Sequence, residues 1–346
     1  IQLSQPLAFI GGVYREIRQS LTDIEVLFDL LETPAEIVDL PKPEPTADQV
    51  LVRAHSLGVG YPDVLLRTGI YKWKPALPTI LGNEMTGHIE AVGANVKGLK
   101  EGQPVLVFGT GGGRYAEYNA VDPTLITPLP ESVDLEAATT IPNYLVAWAA
   151  LHGVAHAGRA KTIYVNGAAG GTGTAILDLC RSEGIATIAG ASSDEKCEFA
   201  STLGTIGTVN YSRENIAEKV LAITEGRGVD ISFDQLGGYE LVTSLSMLAP
   251  LGLVVLYNAL KGAPSDDLFA ALREHRGHSL GVQCFSLHSY DNDLEERSRI
   301  FDAIVERFAS GALNPPIYDC IPMAEARHAH ELIDDRKILG KLILKP

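Results

Sequence analysis

At 346 residues, with 46% hydrophobic and 21% charged residues, the chain is long enough for two globular domains with substantial cores. A net charge of −15 argues against a general nucleic-acid or anionic-membrane surface, because the summed field repels phosphate. Cys180, Cys197, Cys284 and Cys320 are widely spaced with no C-x-x-C pair, so neither a disulfide framework nor a structural zinc site is expected, and a reducing cytoplasm is the expected location.

No stretch approaches the roughly 18–20 apolar residues of a membrane span, so no membrane partner is expected. The segment Ile1 to Leu21 lacks a charged start, an apolar core and a small-residue cleavage pattern, and residues 1–22 read as an N-terminal extension. Ile24 to Leu30 and Ala35 to Leu40 read as strands, ended by the stiff Pro41-Lys42-Pro43-Glu44-Pro45 turn. Gln49 to His55 resumes as a strand, and short strands with glycine corners follow through Val107, so the first part of the chain is mainly β. His55 and His88 lie in these strand-like runs, where a packed or solvated role is expected rather than a ligand role.

After Pro130 the pattern turns helical, over Asp134 to Thr140 and Asn143 to His152. Apolar Thr162 to Val165 then feeds the glycine turn Gly167-Ala168-Ala169-Gly170-Gly171-Thr172-Gly173, and an amphipathic run from Ala175 to Glu183 leaves it. That is strand, turn and helix. With Ala168 in first place, the turn is a variant of the dinucleotide fingerprint: Gly170 lets backbone approach a pyrophosphate, Gly173 lets helix pack on strand, and the first helical N–H groups face the anion. Ile185 to Ala189 closes a βαβ unit of about 30 residues. Where an NAD site places an acid for the ribose, this chain has Gly190-Ala191-Ser192-Ser193 and then Lys196. That substitution favours NADPH, with Lys196 as a point charge on the 2′-phosphate and the serines as donors. Ser192 and Glu195 also read as a capping box for a helix from Asp194 to Leu203. Alternation continues through the strand Gly228 to Asp234, the helix Tyr239 to Leu248, the strand Leu253 to Tyr257 and a last strand, Ser279 to Ser286, which indicates a parallel doubly wound sheet. A helix over Leu294 to Ser310 and a closing segment ending Gly340-Lys341-Leu342-Ile343-Leu344 finish the chain.

The ordered set Gly58 to Tyr71, Gly82-Asn83-Glu84-Met85-Thr86-Gly87, Gly167 to Gly173, Ser192 to Lys196, Asp234 to Gly238 and Gly340-Lys341 resembles the medium-chain dehydrogenase/reductase superfamily, in its zinc-free, zeta-crystallin-like quinone oxidoreductase branch. The resemblance runs from about Ile24 to Pro346 and implies an α/β fold: a GroES-like β-barrel domain (residues 23–143 and 288–346) plus a Rossmann doubly wound parallel-sheet domain (144–287), with the active site between them. Zinc is not expected, since the position resembling the ligand cysteine falls at Gly60 or Tyr61, the expected histidine is Asn83, and the four-cysteine loop is missing. Glu84 alone makes no zinc site and is expected to anchor a loop.

Hydride transfer without zinc requires an acceptor that is already electrophilic, a quinone or an α,β-unsaturated carbonyl, with the protein supplying orientation and a proton. The resemblance puts the phenols of Tyr61 and Tyr71 at the cleft, and Asn143 near a carbonyl or hydroxyl, as the candidate catalytic residues. For NADPH it implies Ala169, Gly170, Gly171 and Thr172 at the pyrophosphate, Ser192, Ser193, Lys196, Tyr211 and Arg336 at the 2′-phosphate end, and Asn258, Phe285 and Ser286 toward the nicotinamide, with Gly237 a further cofactor-binding position. Gly60, Leu65 and Val146 depart from the branch's usual Asn, Tyr and Thr, which weakens transfer of its substrate. A homodimer joined through the Ser279 to Ser286 edge is expected. An enoyl-thioester reductase, and a non-catalytic NADPH-binding protein with a structural or lipid-handling role, stay open as alternatives.

Overall fold

Alternating apolar residues begin the first sheet, and the computed structural model describes them within residues 40–263 and 267–346. The expected extension at 1–22 and the strands at 24–30 and 35–40 lie outside the described residues, apart from Leu40. Along the chain come β1 (Val50–Val59), α1 (Tyr61–Arg67), β2 (Glu84–Val92), β3 (Pro104–Phe108), β4 (Tyr118–Val121), β5 (Ile126–Pro128), α2 (Leu135–Ala138) and α3 (Ile141–Trp148). The second stretch holds β6 (Thr162–Asn166), α4 (Gly171–Ser182), β7 (Ala186–Ala191), α5 (Asp194–Ser201), β8 (Gly207–Asn210), α6 (Ile216–Ile223), β9 (Val229–Asp234), α7 (Gly238–Thr243), β10 (Leu248–Leu256), α8 (Leu268–Glu274) and β11 (Gly281–Cys284). Helix α9 (Leu294–Ala309), β12 (Ile317–Pro322), α10 (Ala326–Asp334) and β13 (Lys341–Lys345) complete it.

The first sheet runs β12-β13-β1-β2-β3-β5, with β4 also on β1. Its pairings are antiparallel except β12 with β13, so the last strand of the chain returns to the first sheet beside β1. The described pairings form an open path, and a closed barrel is not among them.

The second sheet has six strands in the order β8-β7-β6-β9-β10-β11, all parallel. Neighbours β7 and β9 flank β6, so the connections turn opposite ways after it, and a crevice opens beyond the carboxyl ends of β6 and β9 where such sheets bind ligands. Buried Val165, Phe233 and Val255 of this sheet pack with Ile176 and Leu179 of α4, Tyr144 and Leu145 of α3, and Ile304 and Phe308 of α9. The glycine turn is therefore held at the edge of a well-filled core.

Several boundaries differ from the sequence reading for local reasons. Helix α4 starts at Gly171, four residues before the amphipathic run, because the turn glycines themselves enter the first helical turn. Strand β10 begins at Leu248 and includes Pro250 and Gly252, with a register irregularity between Leu248 and Leu253 where Leu251 takes a φ of 66°. A bulge of this kind lets proline sit inside a strand span. The expected helix 239–248 is α7 followed by a 3-10 turn over Ser244–Met247.

Candidate active site

Gly167, with φ 70°, turns the chain off β6, and Gly170 takes the N-cap of α4 with no side chain capping it. The first N–H groups of a helix have no partner within the helix, so here they present a donor set backed by the helix dipole. They open on a cleft of about 800 Å³. Ala169, Gly170, Gly171 and Thr172 all line it, as do Ser192, Lys196, Tyr211, Asn258, Phe285, Ser286 and Arg336, together with Tyr61, Tyr71 and Asn143.

Two expected cofactor residues are placed otherwise. Ser193, not Ser192, caps α5, its hydroxyl accepting from the Lys196 N–H at 3.3 Å, and Ser193 is not in the cleft wall. The Ser192–Glu195 capping box is therefore corrected: the extended backbone at Ser193 sets the cap one residue later, which leaves Ser192 on the cleft. Gly237 also lies outside the wall. It has φ 65°, its N–H bonds to Asp234 Oδ1 at 3.4 Å, and a Cβ there would come within 2.7 Å of the Gly262 carbonyl, so it serves the turn into α7.

At one end of the cleft the Lys196 ammonium donates to the carbonyl oxygen of Arg336, a residue in the left-handed region at φ 55°. Burial first, and then the nearby Arg336 charge, lowers the Lys196 pKa, because both disfavour its charged form. Burial raises the Tyr211 phenol, and its hydroxyl is in hydrogen-bonding contact with Ser192. Two cations and two hydroxyls in one place form a donor set suited to a phosphate dianion.

Across the cleft, Glu84 is not a loop anchor but a buried strand residue. Its carboxylate reaches past β1 to the buried ammonium of Lys341 in β13, a passage possible because Gly58 of β1 has no side chain: a Cβ there would stand 2.4 Å from Glu84 Oε1. Lys341 also donates to Asn143 Oδ1 at 3.3 Å, and Asn143 Nδ2 donates to Thr172 Oγ1 at 3.4 Å. This chain of contacts ties the first sheet to the first turn of α4. It also engages half of the Asn143 carboxamide's hydrogen-bonding capacity, leaving one N–H and one lone pair for a ligand.

Asn83, where the family's histidine would stand, is equally engaged: its Nδ2 donates to Asp63 Oδ1 at 3.0 Å and its Oδ1 accepts from the Gly111 and Gly112 N–H groups. Burial, with the Glu84 charge adding to it, pushes the Asp63 carboxyl up to about 6, although the Gly60 N–H bond opposes this. Among the described residues, no three His, Cys, Asp or Glu side chains gather where they could hold a metal.

The remaining wall carries residues the sequence reading missed. The Tyr71 hydroxyl lies 3.2 Å from His288 Nε2, and His288 Nδ1 lies 2.7 Å from Asp291 Oδ2. Trp73 stacks on the imidazole with centroids 3.5 Å apart and planes 17° from parallel. Burial above all, then Asp291 and Asp63, keeps the Tyr71 phenol above its ordinary value, so it is a protonated donor at neutral pH. Tyr61 also lines the cleft, 40% exposed. His288 and Asp291 stand three apart in the sequence, a spacing that could have flagged a pair, but nothing local links them to Tyr71.

Comparison with known proteins agrees with this architecture. A family model described as the alcohol dehydrogenase GroES-like domain matches residues 46–131, and one described as zinc-binding dehydrogenase matches residues 171–298. A quinone oxidoreductase from Rattus norvegicus is 31% identical over 309 residues, covering 88% of this chain and 92% of that protein. A quinone oxidoreductase from Pseudomonas aeruginosa is 31% identical over 313 residues, covering 90% and 95%. The crystal structure of Escherichia coli quinone oxidoreductase complexed with NADPH superposes with a TM-score of 0.79 at 25% identity, covering 89% of this chain and 95% of that one.

Proposed function

The chain belongs to the medium-chain dehydrogenase/reductase superfamily, in its zinc-free quinone oxidoreductase branch, and on that premise we propose that it is an NADPH-dependent reductase of a quinone or an α,β-unsaturated carbonyl. The observation that carries this reading is a single cleft with a phosphate-type donor set at one end and protonated phenol at the other. The uncapped start of α4 would take the pyrophosphate, and Lys196, Arg336, Tyr211 and Ser192 the 2′-phosphate. Asn143, Asn258, Phe285 and Ser286 would flank the nicotinamide end. When bound, NADPH supplies a hydride. The chain's own part is to hold the acceptor beside that end, to keep water out with Leu65, Phe108, Val146 and Phe285, and to give a proton from Tyr71 or Tyr61. In this reading the first sheet closes as a barrel, and the domains are residues 23–143 with 288–346, and 144–287.

The test is NADPH and NADH binding by tryptophan quenching, followed by cofactor oxidation with a panel of quinones and enones in the presence of a chelator. Lys196→Ala is expected to weaken NADPH by on the order of 10–100-fold, the loss of a charge-assisted hydrogen bond, and to leave NADH nearly unchanged. Tighter NADH than NADPH binding by the unaltered protein would refute the assignment of the Ser192 to Lys196 end.

The reading extends to a cytoplasmic homodimer. Strand β11 is the sheet edge, with Gln283 and Cys284 exposed on it, so a second copy would extend the sheet there. Sedimentation at micromolar concentration should give a dimer, and a monomer would overturn this extension.

A further inference from the structure

Resting on the reductase reading above, we propose that His288 and Asp291 form a proton relay behind Tyr71, resupplying the phenol as it protonates the reduced acceptor. The geometry is that of a line. Tyr71 reaches His288 Nε2 at 3.2 Å, the other ring nitrogen faces Asp291 Oδ2 at 2.7 Å, and all three residues line the cleft. Asp291 accepts from Nδ1–H, which turns Nε2 toward the phenol, and Trp73 holds the plane of the ring by stacking. The His288 side chain is 15% exposed and that of Asp291 43%, so the line runs from a half-buried phenol through the more enclosed ring to a wetter carboxylate. The charges around it are Asp291 itself, Arg297, whose guanidinium interacts with Asp291, Lys72, set 5.3 Å over the Trp73 ring, and Asp63, which acts on Tyr71.

The balance is simple. The dihydronicotinamide supplies hydride, and the acceptor oxygen gains the proton as the Tyr71 O–H bond breaks. Water in the cleft adds a proton to Nε2 of the neutral ring while Nδ1–H stays on the Asp291 carboxylate, and the Nε2–H of the resulting imidazolium re-forms the Tyr71 O–H bond, which returns the ring to its Nδ1–H form. His288 is thus a positioning and resupply residue that acts through Tyr71.

The test uses the NADPH-loaded enzyme with a quinone or enone acceptor and compares it with His288→Phe, which keeps a ring beside Trp73, and with His288→Ala. In His288→Phe, kcat is expected to fall on the order of 100-fold with NADPH affinity retained. The dependence of rate on deuterium fraction should curve in the unaltered enzyme, where two protons move, and become linear in His288→Phe. Added imidazole should restore part of the rate of His288→Ala. Nitrogen NMR of the free protein supplies a readout that needs no turnover: the His288 proton sits on Nδ1 and redistributes between the two nitrogens in Asp291→Asn. An unchanged kcat in His288→Phe, a linear dependence in the unaltered enzyme, or a tautomer indifferent to Asp291→Asn would each overturn the relay. Absence of turnover by the unaltered enzyme on every quinone and enone would instead overturn the reductase reading on which it rests.

Discussion

Lys341→Met is expected to destabilise the protein by about 3–5 kcal/mol, the usual cost of leaving one member of a buried ion pair without its partner. Lys341 and Glu84 are only 3% and 7% exposed, and they meet across β1 in the gap left by Gly58. Methionine roughly preserves the volume, so the loss isolates charge from packing. Adding Glu84→Gln to Lys341→Met should recover much of the stability, because a neutral amide in the same place no longer demands a cation. Chemical denaturation of the two variants measures both effects. A loss below about 1 kcal/mol in the single variant, the scale of exposed pairs, would show that the pair is hydrated and holds little together. Because Lys341 also holds Asn143, and Asn143 holds Thr172, the single variant should bind NADPH less tightly as well.

Gly173→Ala is expected to damage fold and cofactor site together. A Cβ on Gly173 would lie 2.5 Å from the Gly167 carbonyl oxygen and within 3.0 Å of two backbone atoms of Ala168. No side chain can rotate aside there, so α4 must lift from the end of β6 and the glycine turn must open. Overpacking of this kind costs about 1–3 kcal/mol. Displacing even one N–H from a phosphate oxygen removes a further charge-assisted bond, on the order of a 10–100-fold loss of NADPH affinity. Gly158→Ala is the control, since a Cβ there meets nothing within 4 Å. Thermal unfolding and tryptophan quenching read the two parts of the effect, and a Gly173→Ala protein that melts and binds like the control would refute the account of this turn.

The residues that could be found without the fold are those whose chemistry depends on near neighbours. The turn Gly167 to Gly173 is legible because a strand, a left-handed glycine and an uncapped helix start constrain one another within a few residues. Ser192 and Lys196 could be proposed for a phosphate because they follow the second strand where an NAD site would carry an acid, whereas Tyr211 is implied only by the resemblance, since alone it reads as a strand-end aromatic. Locality also explains the error at Ser193. Two adjacent serines offer the same side chain, and only the backbone at Ser193, extended at φ −150°, settles which one caps the helix.

By itself, the sequence determined a strand-helix alternation, a dinucleotide turn with no ribose acid after it, and an excess of negative charge, because periodicity, glycine freedom and composition act through the chain's own neighbours. The tertiary structure alone decided that Tyr71 meets His288 across 217 positions and that Glu84 meets Lys341 across 257. Contacts at such separation leave no local pattern. They arise when the last strand pairs beside β1 and the segment after β11 packs at the mouth of the cleft, and those placements are set by burial of the whole core.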